Sequence, residues 1–460
     1  MNEDEMENWV SERFRAAPDP EPSESLQQAV DADRIRASVS RGSTRPGLSL
    51  RLSGRRNVLA GLIGLAATVV LAAGLLAVVA SRLTQTAAAP GAIQWEPAIK
   101  GPGVTFLFGP YLASAGGRLY MAGSISLGSG YTTEVWASAD GATWERVSQP
   151  GAFEKYGSGF AAFGLSDDGN GGLIVIGSIG TGGESRAAMA WHSSDGVTWT
   201  RADTGSTDSG ELMRVAARPG SIVAFGDWTS PVSSGATGSG EAANQLGAWF
   251  SADGETWRQV ILPNSVSYIP TALTAWKGGF AAVAAKNTAE SVSSVWTSSD
   301  GRTWEKAPVD LAGFGSTAMA GLGDRVVAVG ARLDSKLGMV PASWSSTDGR
   351  TWTESDASTR DPAIMFDDVT VVGEDLVAIG SSRMGASFGP SVVPEITQPP
   401  LPAESVWTSG DGKTWRLLAE NSALKFGFNL NTHITSFRGR VVVATQGGGA
   451  VEIFLGDPVP

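Results

Sequence analysis

The chain has 460 residues with 34 basic and 46 acidic side chains, for a net charge of −12, and it contains no cysteine. The missing cysteines exclude disulfides, thiolate metal sites, cysteine nucleophiles and a lipoprotein anchor. An acidic balance with no basic stripe to offset it excludes nucleic acid as a partner.

Residues 1–57 read as a mostly disordered cytoplasmic tail. Residues 1–33 carry ten acids and two arginines, and residues 34–56 carry seven arginines and no acid. Met6, Trp9, Val10, Arg13 and Phe14 fall at helical spacing, which predicts one short amphipathic helix. Residues 58–80 are apolar or small and uncharged. As a helix they would be about 35 Å long, enough for a hydrocarbon core of about 30 Å. Arg41, Arg45, Arg51, Arg55 and Arg56 precede this stretch, which places the N-terminus in the cytoplasm and the rest outside. A rival reading is a twin-arginine-like export signal at Gly54–Leu59, with Thr86–Ala89 as the cleavage site. Both readings export the remainder of the chain. The absence of any Asn-x-Ser/Thr sequon fits a bacterial envelope protein.

After a linker over 81–91, residues 92–460 are built on a repeat. The unit Trp-x-Ser-x-Asp-Gly-x-Thr-Trp spans Trp136–Trp144, Trp191–Trp199, Trp249–Trp257, Trp296–Trp304, Trp344–Trp352 and Trp407–Trp415. In the last copy Gly410 stands between Ser409 and Asp411. The aspartates Asp140, Asp195, Asp253, Asp300, Asp348 and Asp411 recur every 47 to 63 residues, a period that means a propeller or a solenoid. Each unit predicts a hairpin with a three-residue loop closed by glycine. In the first, Ser138 then opposes Ala142 and Trp136 opposes Trp144 as a cross-strand aromatic pair. The Asp carboxylate pins the turn by accepting backbone N–H groups and the Thr hydroxyl.

Seven apolar runs form a second repeat: Arg118–Gly123, Leu173–Gly177, Ser221–Gly226, Phe280–Ala284, Arg325–Gly330, Asp375–Gly380 and Arg440–Ala444. A further apolar segment precedes each, as in Val369–Val372 and Ile434–Phe437, so every unit offers four strands. Six Trp hairpins serve seven runs, and Gln94–Pro97 paired with Val451–Leu455 completes a seventh. The prediction is an all-β, seven-bladed β-propeller closed between its two ends, preceded by one transmembrane helix and the tail.

His192 and His433 are the only histidines and give no metal-ligand pattern. No phosphate loop, dinucleotide fingerprint or nucleophile elbow is present, so the sequence predicts no metal, cofactor or catalytic residue. In a four-stranded blade the Trp-hairpin turns share one face. The loops between second and third strands, and between blades, share the other. The long insertions Asp227–Gly247 and Ser381–Glu404 fall on that second face, where binding function concentrates. Arg186, Trp228, Arg332, Arg360 and Arg383 are the ligand-binding candidates there.

The hairpins resemble Asp-box, or bacterial-neuraminidase-type, repeats of sialidases and other bacterial propellers, with Asp and Gly adjacent and the box one residue shorter. The resemblance covers residues 92–456. It implies that the six aspartates are structural turn residues on the outer part of the blades, away from a ligand. A sialidase would further need an arginine cluster for the sugar carboxylate, a Tyr nucleophile beside a Glu, and an Asp acid/base. The family's early Phe/Tyr-Arg-Ile-Pro signature is absent. The function expected is a membrane-anchored binding or scaffold module for an envelope glycan or protein. The alternatives are an exported sialidase-like glycoside hydrolase and a transmembrane sensor with Met6–Phe14 as its output.

Overall fold

The computed structural model describes residues 93–458, apart from internal stretches of which 230–243, 383–403 and 419–431 are the longest. The tail, the apolar stretch at 58–80 and the linker lie outside the described residues. Among the described residues no helix is long and apolar enough to cross a membrane.

Seven antiparallel sheets follow one another along the chain. Blade 1 comprises Phe108–Ala115, Arg118–Ser126, Tyr131–Ser138 and Glu145–Arg146; blade 2 comprises Phe160–Asp167, Leu173–Gly182, Ser185–Ser193 and Thr200–Arg201. Blade 3 holds Gly210–Arg218, Ser221–Thr229, Asn244–Ser251 and Trp257–Val266. Blade 4 holds Tyr268–Trp276, Gly279–Lys286, Val292–Ser298 and Glu305–Lys306, with Leu311–Ala312 added to its third strand. Blade 5 is Ser316–Leu322, Arg325–Asp334, Gly338–Ser346 and Thr353–Ser355; blade 6 is Ile364–Val372, Asp375–Ser382, Glu404–Ser409 and Arg416–Leu418. In blade 7, Thr432–Phe437, Arg440–Gln446 and Val451–Pro458 take their outer strand from Ile93–Trp95 at the other end of the domain. Trp95 pairs with Gly456, which closes the ring as the hairpin count requires. The first strands of the blades touch in the order 1 to 7 and back to 1, so they surround the axis. The chain is a seven-bladed β-propeller.

The apolar interior is divided among the seven joints. Seven buried clusters lie one between each pair of neighbouring blades, the pair 7 and 1 included. Each tryptophan pair sits in the joint to the preceding blade: Trp249 and Trp257 face blade 2, and Trp407 and Trp415 face blade 5. Blade 7 keeps the arrangement with Phe454 in place of the first tryptophan and Trp95 in place of the second.

The hairpin register differs from the sequence expectation. Trp136 pairs with Arg146 and Ala137 with Glu145, so the two rings are not directly opposed but lie diagonally on one face. In blade 3 Ser251 pairs with Trp257 and Trp249 with Gln259, the same offset, and the loop holds five residues. The reason is the carboxylate. Asp140 Oδ1 accepts the N–H groups of Ala142 at 2.8 Å and Thr143 at 2.7 Å, which removes both residues from the ladder. Ser138 Oγ accepts the Gly141 N–H at 2.8 Å, and Trp144 Nε1 donates to the Gly141 carbonyl at 3.2 Å. These bonds hold the exposed carboxyls of Asp140, Asp195 and Asp348 at a pKa of about 2.

The turn glycine has a second duty. Gly412 has φ +68, and a Cβ there would come within 2.3 Å of Val327 Cγ2 in blade 5. Gly301 likewise presses on Val223 in blade 3, and Gly254 on Ile174 in blade 2. The turn therefore docks each blade on its predecessor and leaves no room for a side chain.

Candidate ligand-binding site

The first strands carry an irregularity at one level. Six of the seven shift register against their second strand, with Gly109–Pro110, Phe163, Met213, Thr271, Thr317 and Asp367 as the extra residues. Blade 7 pairs without a shift. Bulges re-aim the side chains beside them and are common near functional sites. The residues set just past this level, one per blade, are Tyr111, Gly164, Arg214, Ala272, Ala318, Asp368 and His433. Three are small. Of the other four, Tyr111, Asp368 and His433 contact one another, and Arg214 interacts electrostatically with two of them.

The Tyr111 and His433 rings lie 5.1 Å apart, edge to face. His433 Nδ1 is 3.3 Å from Asp368 Oδ2. The Arg214 guanidinium interacts electrostatically with both Tyr111 and Asp368. Blades 3 and 6 are not neighbours in a ring of seven, so the interaction of Arg214 with Asp368 runs across the axis. Arg214 is fixed by its own side chain, with Nε donating to the Thr271 carbonyl at 2.7 Å and Nη1 to the Met213 carbonyl at 2.8 Å. Asp368 is held by the N–H groups of Val369 at 2.9 Å and Ile434 at 3.0 Å.

Burial pushes the Tyr111 phenol up to about 12, against a smaller lowering by the Arg214 charge. At neutral pH the phenol carries its proton and can donate a hydrogen bond. Burial also pulls Arg214 below its ordinary value, while Tyr111 and Asp368 push it back. The four groups offer one cation, one carboxylate, one neutral O–H and one imidazole, while Ala272 and Ala318 at the same level are buried in the joints between blades. That set can orient a polar or charged group entering along the axis.

Three of the sequence candidates, Arg186, Trp228 and Arg332, fall within the described residues. Arg186, at the start of the third strand of blade 2, forms an ion pair with Glu211 of blade 3. Glu211 N–H donates to Asp227 Oδ1 at 3.1 Å, and burial, with Glu211 second, raises the Asp227 pKa. Trp228 follows on the same strand, half-buried against the joint between blades 2 and 3. Arg186 and Trp228 thus belong to one neighbourhood, beside the start of the first strand of blade 3. Arg332 sits in blade 5 with Nε 3.2 Å from Glu354 Oε1. Arg360 and Arg383 lie outside the described residues, as does most of each long insertion. His192 stands on a strand with its side chain 14% exposed, between Asp168 at 3.1 Å and Glu255 at 3.7 Å.

Sequence reasoning missed the axial group, and one signal would have found it. Tyr111, Arg214, Asp368 and His433 each stand four residues before the last residue of their strand: Ala115, Arg218, Val372 and Phe437. Stacking the repeats by that strand end puts the four in one column.

No family model matches the chain, and no curated protein matches it. Among solved structures, a chain of the mitotic checkpoint complex matches at 11% identity and a TM-score of 0.48, over 90% of this chain and 99% of that one. The Hadza microbial sialidase Hz136 matches at 16% identity and 0.39, over 78% of this chain and 66% of its own. The β-propeller domain of the Trilobed protease from Pyrococcus furiosus matches at 8% and 0.44, over 79% and 98%. This chain spans 66% of the Hz136 chain and 59% of the Trypanosoma rangeli sialidase chain it also matches. These likenesses extend to the propeller fold and carry no chemistry.

Proposed function

We propose that the chain is a membrane-anchored, extracytoplasmic binding module whose propeller receives an envelope glycan or protein at the end of the axis where the first strands begin. The observation that carries this reading is the contact of Tyr111, His433 and Asp368 from blades 1, 7 and 6 on the innermost strands, with the charge of Arg214 of blade 3 acting on two of them. The export half of the proposal rests on the uncharged stretch at 58–80 and the arginines before it. The test is binding of the full chain, in detergent, to an array of sialosides, cell-wall polysaccharides and envelope-protein peptides. Specific binding that Tyr111→Phe or Asp368→Asn weakens, with folding unchanged, supports the reading. Binding indifferent to both variants would overturn it.

A sialidase-like hydrolase is the second reading, favoured by the meeting of a Tyr, an Arg and an Asp. What weighs toward binding is that a single arginine stands among the four groups. Release of sugar from a bound sialoside, lost in Asp368→Asn, would reverse the preference.

A further inference from the structure

The chain enters blade 4 through strained backbone. Among the described residues three non-glycine residues stand at positive φ, and two of them, Asn264 at +53 and Ser267 at +62, lie just before Tyr268. Such conformations cost free energy and persist where surrounding contacts impose them. Here Trp296 Nε1 donates to the Pro263 carbonyl at 3.1 Å, and Ser265 Oγ donates to the Leu262 carbonyl at 3.0 Å. The segment delivers the Tyr268 ring edge to face onto Trp296, with centroids 5.1 Å apart.

The phenol then joins three polar groups of the same blade. Tyr268 opens the first strand, Ser294 is on the third, Lys306 ends the fourth and Asp310 follows it. Lys306 Nζ donates to Tyr268 Oη at 3.1 Å and stands 5.2 Å from the centroid of its ring. Ser294 Oγ lies 3.2 Å from Tyr268 Oη and 2.5 Å from Asp310 Oδ1, and Lys306 Nζ is 3.7 Å from that same carboxylate oxygen. A carboxylate only accepts, so the single serine proton serves Asp310 and the serine oxygen is left to accept the phenol proton. Donation therefore runs from Lys306 to Tyr268, on to Ser294 and into Asp310. Ser294 is fully buried and Tyr268 keeps 7% of its surface, while the Lys306 and Asp310 side chains are 25% and 45% exposed, so the run of groups ends in solvent. Burial raises the Tyr268 pKa, but the hydrogen bonds with Ser294 and Lys306 and the lysine charge outweigh it, and the phenol lies below its ordinary value.

A phenol held by an ammonium, with an outlet for its proton, has the equipment of an oxygen nucleophile. We infer that Tyr268 is a covalent modification site, a phenol that takes an acyl group from an activated acyl donor. Tyr268 Oη attacks the carbonyl carbon, and its proton passes to Ser294 as Ser294 hands its own to Asp310. The O–C bond forms, the bond to the leaving group breaks, and the leaving group departs with the electron pair. Asp310 then gives the proton to water. The Lys306 ammonium, in contact with the attacking oxygen, is close enough to stabilise the negative charge that grows on the carbonyl oxygen. The inference goes beyond the binding reading and does not rest on it.

The experiment treats the full chain, in detergent, with N-acetylimidazole and follows the acetyl group at each of the five tyrosines by peptide mass spectrometry. Tyr268 is acetylated first. Lys306→Gln slows that site by roughly tenfold or more, the loss expected for one hydrogen bond from a charged group, while the rates at Tyr120 and Tyr131 do not move. Lys306→Arg keeps most of the rate. The midpoint of the pH–rate profile at Tyr268 moves upward in Lys306→Gln, whereas a lysine that only packs would leave it in place. Should Lys306→Gln fail to fold, the ranking of the tyrosines on the natural chain still decides. Acetylation at Tyr268 no faster than at Tyr120 or Tyr131, a rate indifferent to Lys306→Gln, or an acetyl group found on Lys306 in place of Tyr268 overturns the inference.

Discussion

Gly412→Ala tests whether the turns lock the blades together. Two costs are expected. The residue sits at φ +68, where a side chain costs about 1–2 kcal/mol. The new Cβ would also lie 2.3 Å from Val327 Cγ2, a fully buried side chain of the preceding blade. Overpacking at such a contact adds about 1–3 kcal/mol, for about 2–5 kcal/mol in all. The same blade supplies the control. Gly373 has φ +64 and nothing within 4 Å of its would-be Cβ, so Gly373→Ala loses only the backbone term. Urea unfolding followed by tryptophan fluorescence compares the two. Gly412→Ala should unfold at distinctly lower urea than Gly373→Ala, and Val327→Ala in the Gly412→Ala background should recover part of the difference despite the cavity it leaves. Equal losses for the two glycine variants would refute the docking role and leave the turn as a local device.

Acid should loosen the same turns. The carboxyls of Asp140, Asp195 and Asp348 are held at about 2 against an ordinary 3.8, so their contribution is complete above pH 4 and drains away as pH falls from about 4 to about 2. Thermal melts across that window should show a steep decline that flattens in the triple Asp→Asn chain; parallel curves would contradict it. Trp407, fully buried with its Nε1 donating to Ser405 Oγ at 2.8 Å, should cost about 3–5 kcal/mol on change to Ala. A urea midpoint within error of the natural chain would count against the joint clusters as the core. Among the five tyrosines, Tyr111 should ionise late, at about pH 12. The ultraviolet difference between the natural chain and Tyr111→Phe therefore should hold no phenolate signal at pH 10, and one present there would show an open, solvated ring.

Much of the architecture was readable because each blade repeats its chemistry. The run Arg118–Gly123 lies within Arg118–Ser126, and the pairing of Trp95 with the last strand followed from counting hairpins against runs. The register was not readable. Whether Asp140 binds N–H groups inside or outside the ladder depends on a hydrogen-bond geometry that residue types alone do not set. Phe454 hid for a related reason: a joint needs an aromatic ring of the right size, and the motif looked only for tryptophan. The axial group was least legible. Tyr111, Arg214, Asp368 and His433 come from four separate blades far apart along the chain, and only ring closure brings them together. The arginines that loop logic selected and the structure describes are paired with acids instead, Arg186 with Glu211 and Arg332 with Glu354.

The central claim is that ligands enter at the axial mouth and not on the face of the Ser-x-Asp-Gly turns. The chain has no cysteine, so a single one can be placed at will. Ile269→Cys marks the mouth and Val197→Cys the opposite face, both at exposed positions. Each is coupled to a bulky maleimide, and binding of the best array ligand is then measured. The account predicts that blocking position 269 abolishes binding and blocking position 197 leaves it intact. Loss of binding at position 197 with none at 269 would contradict it.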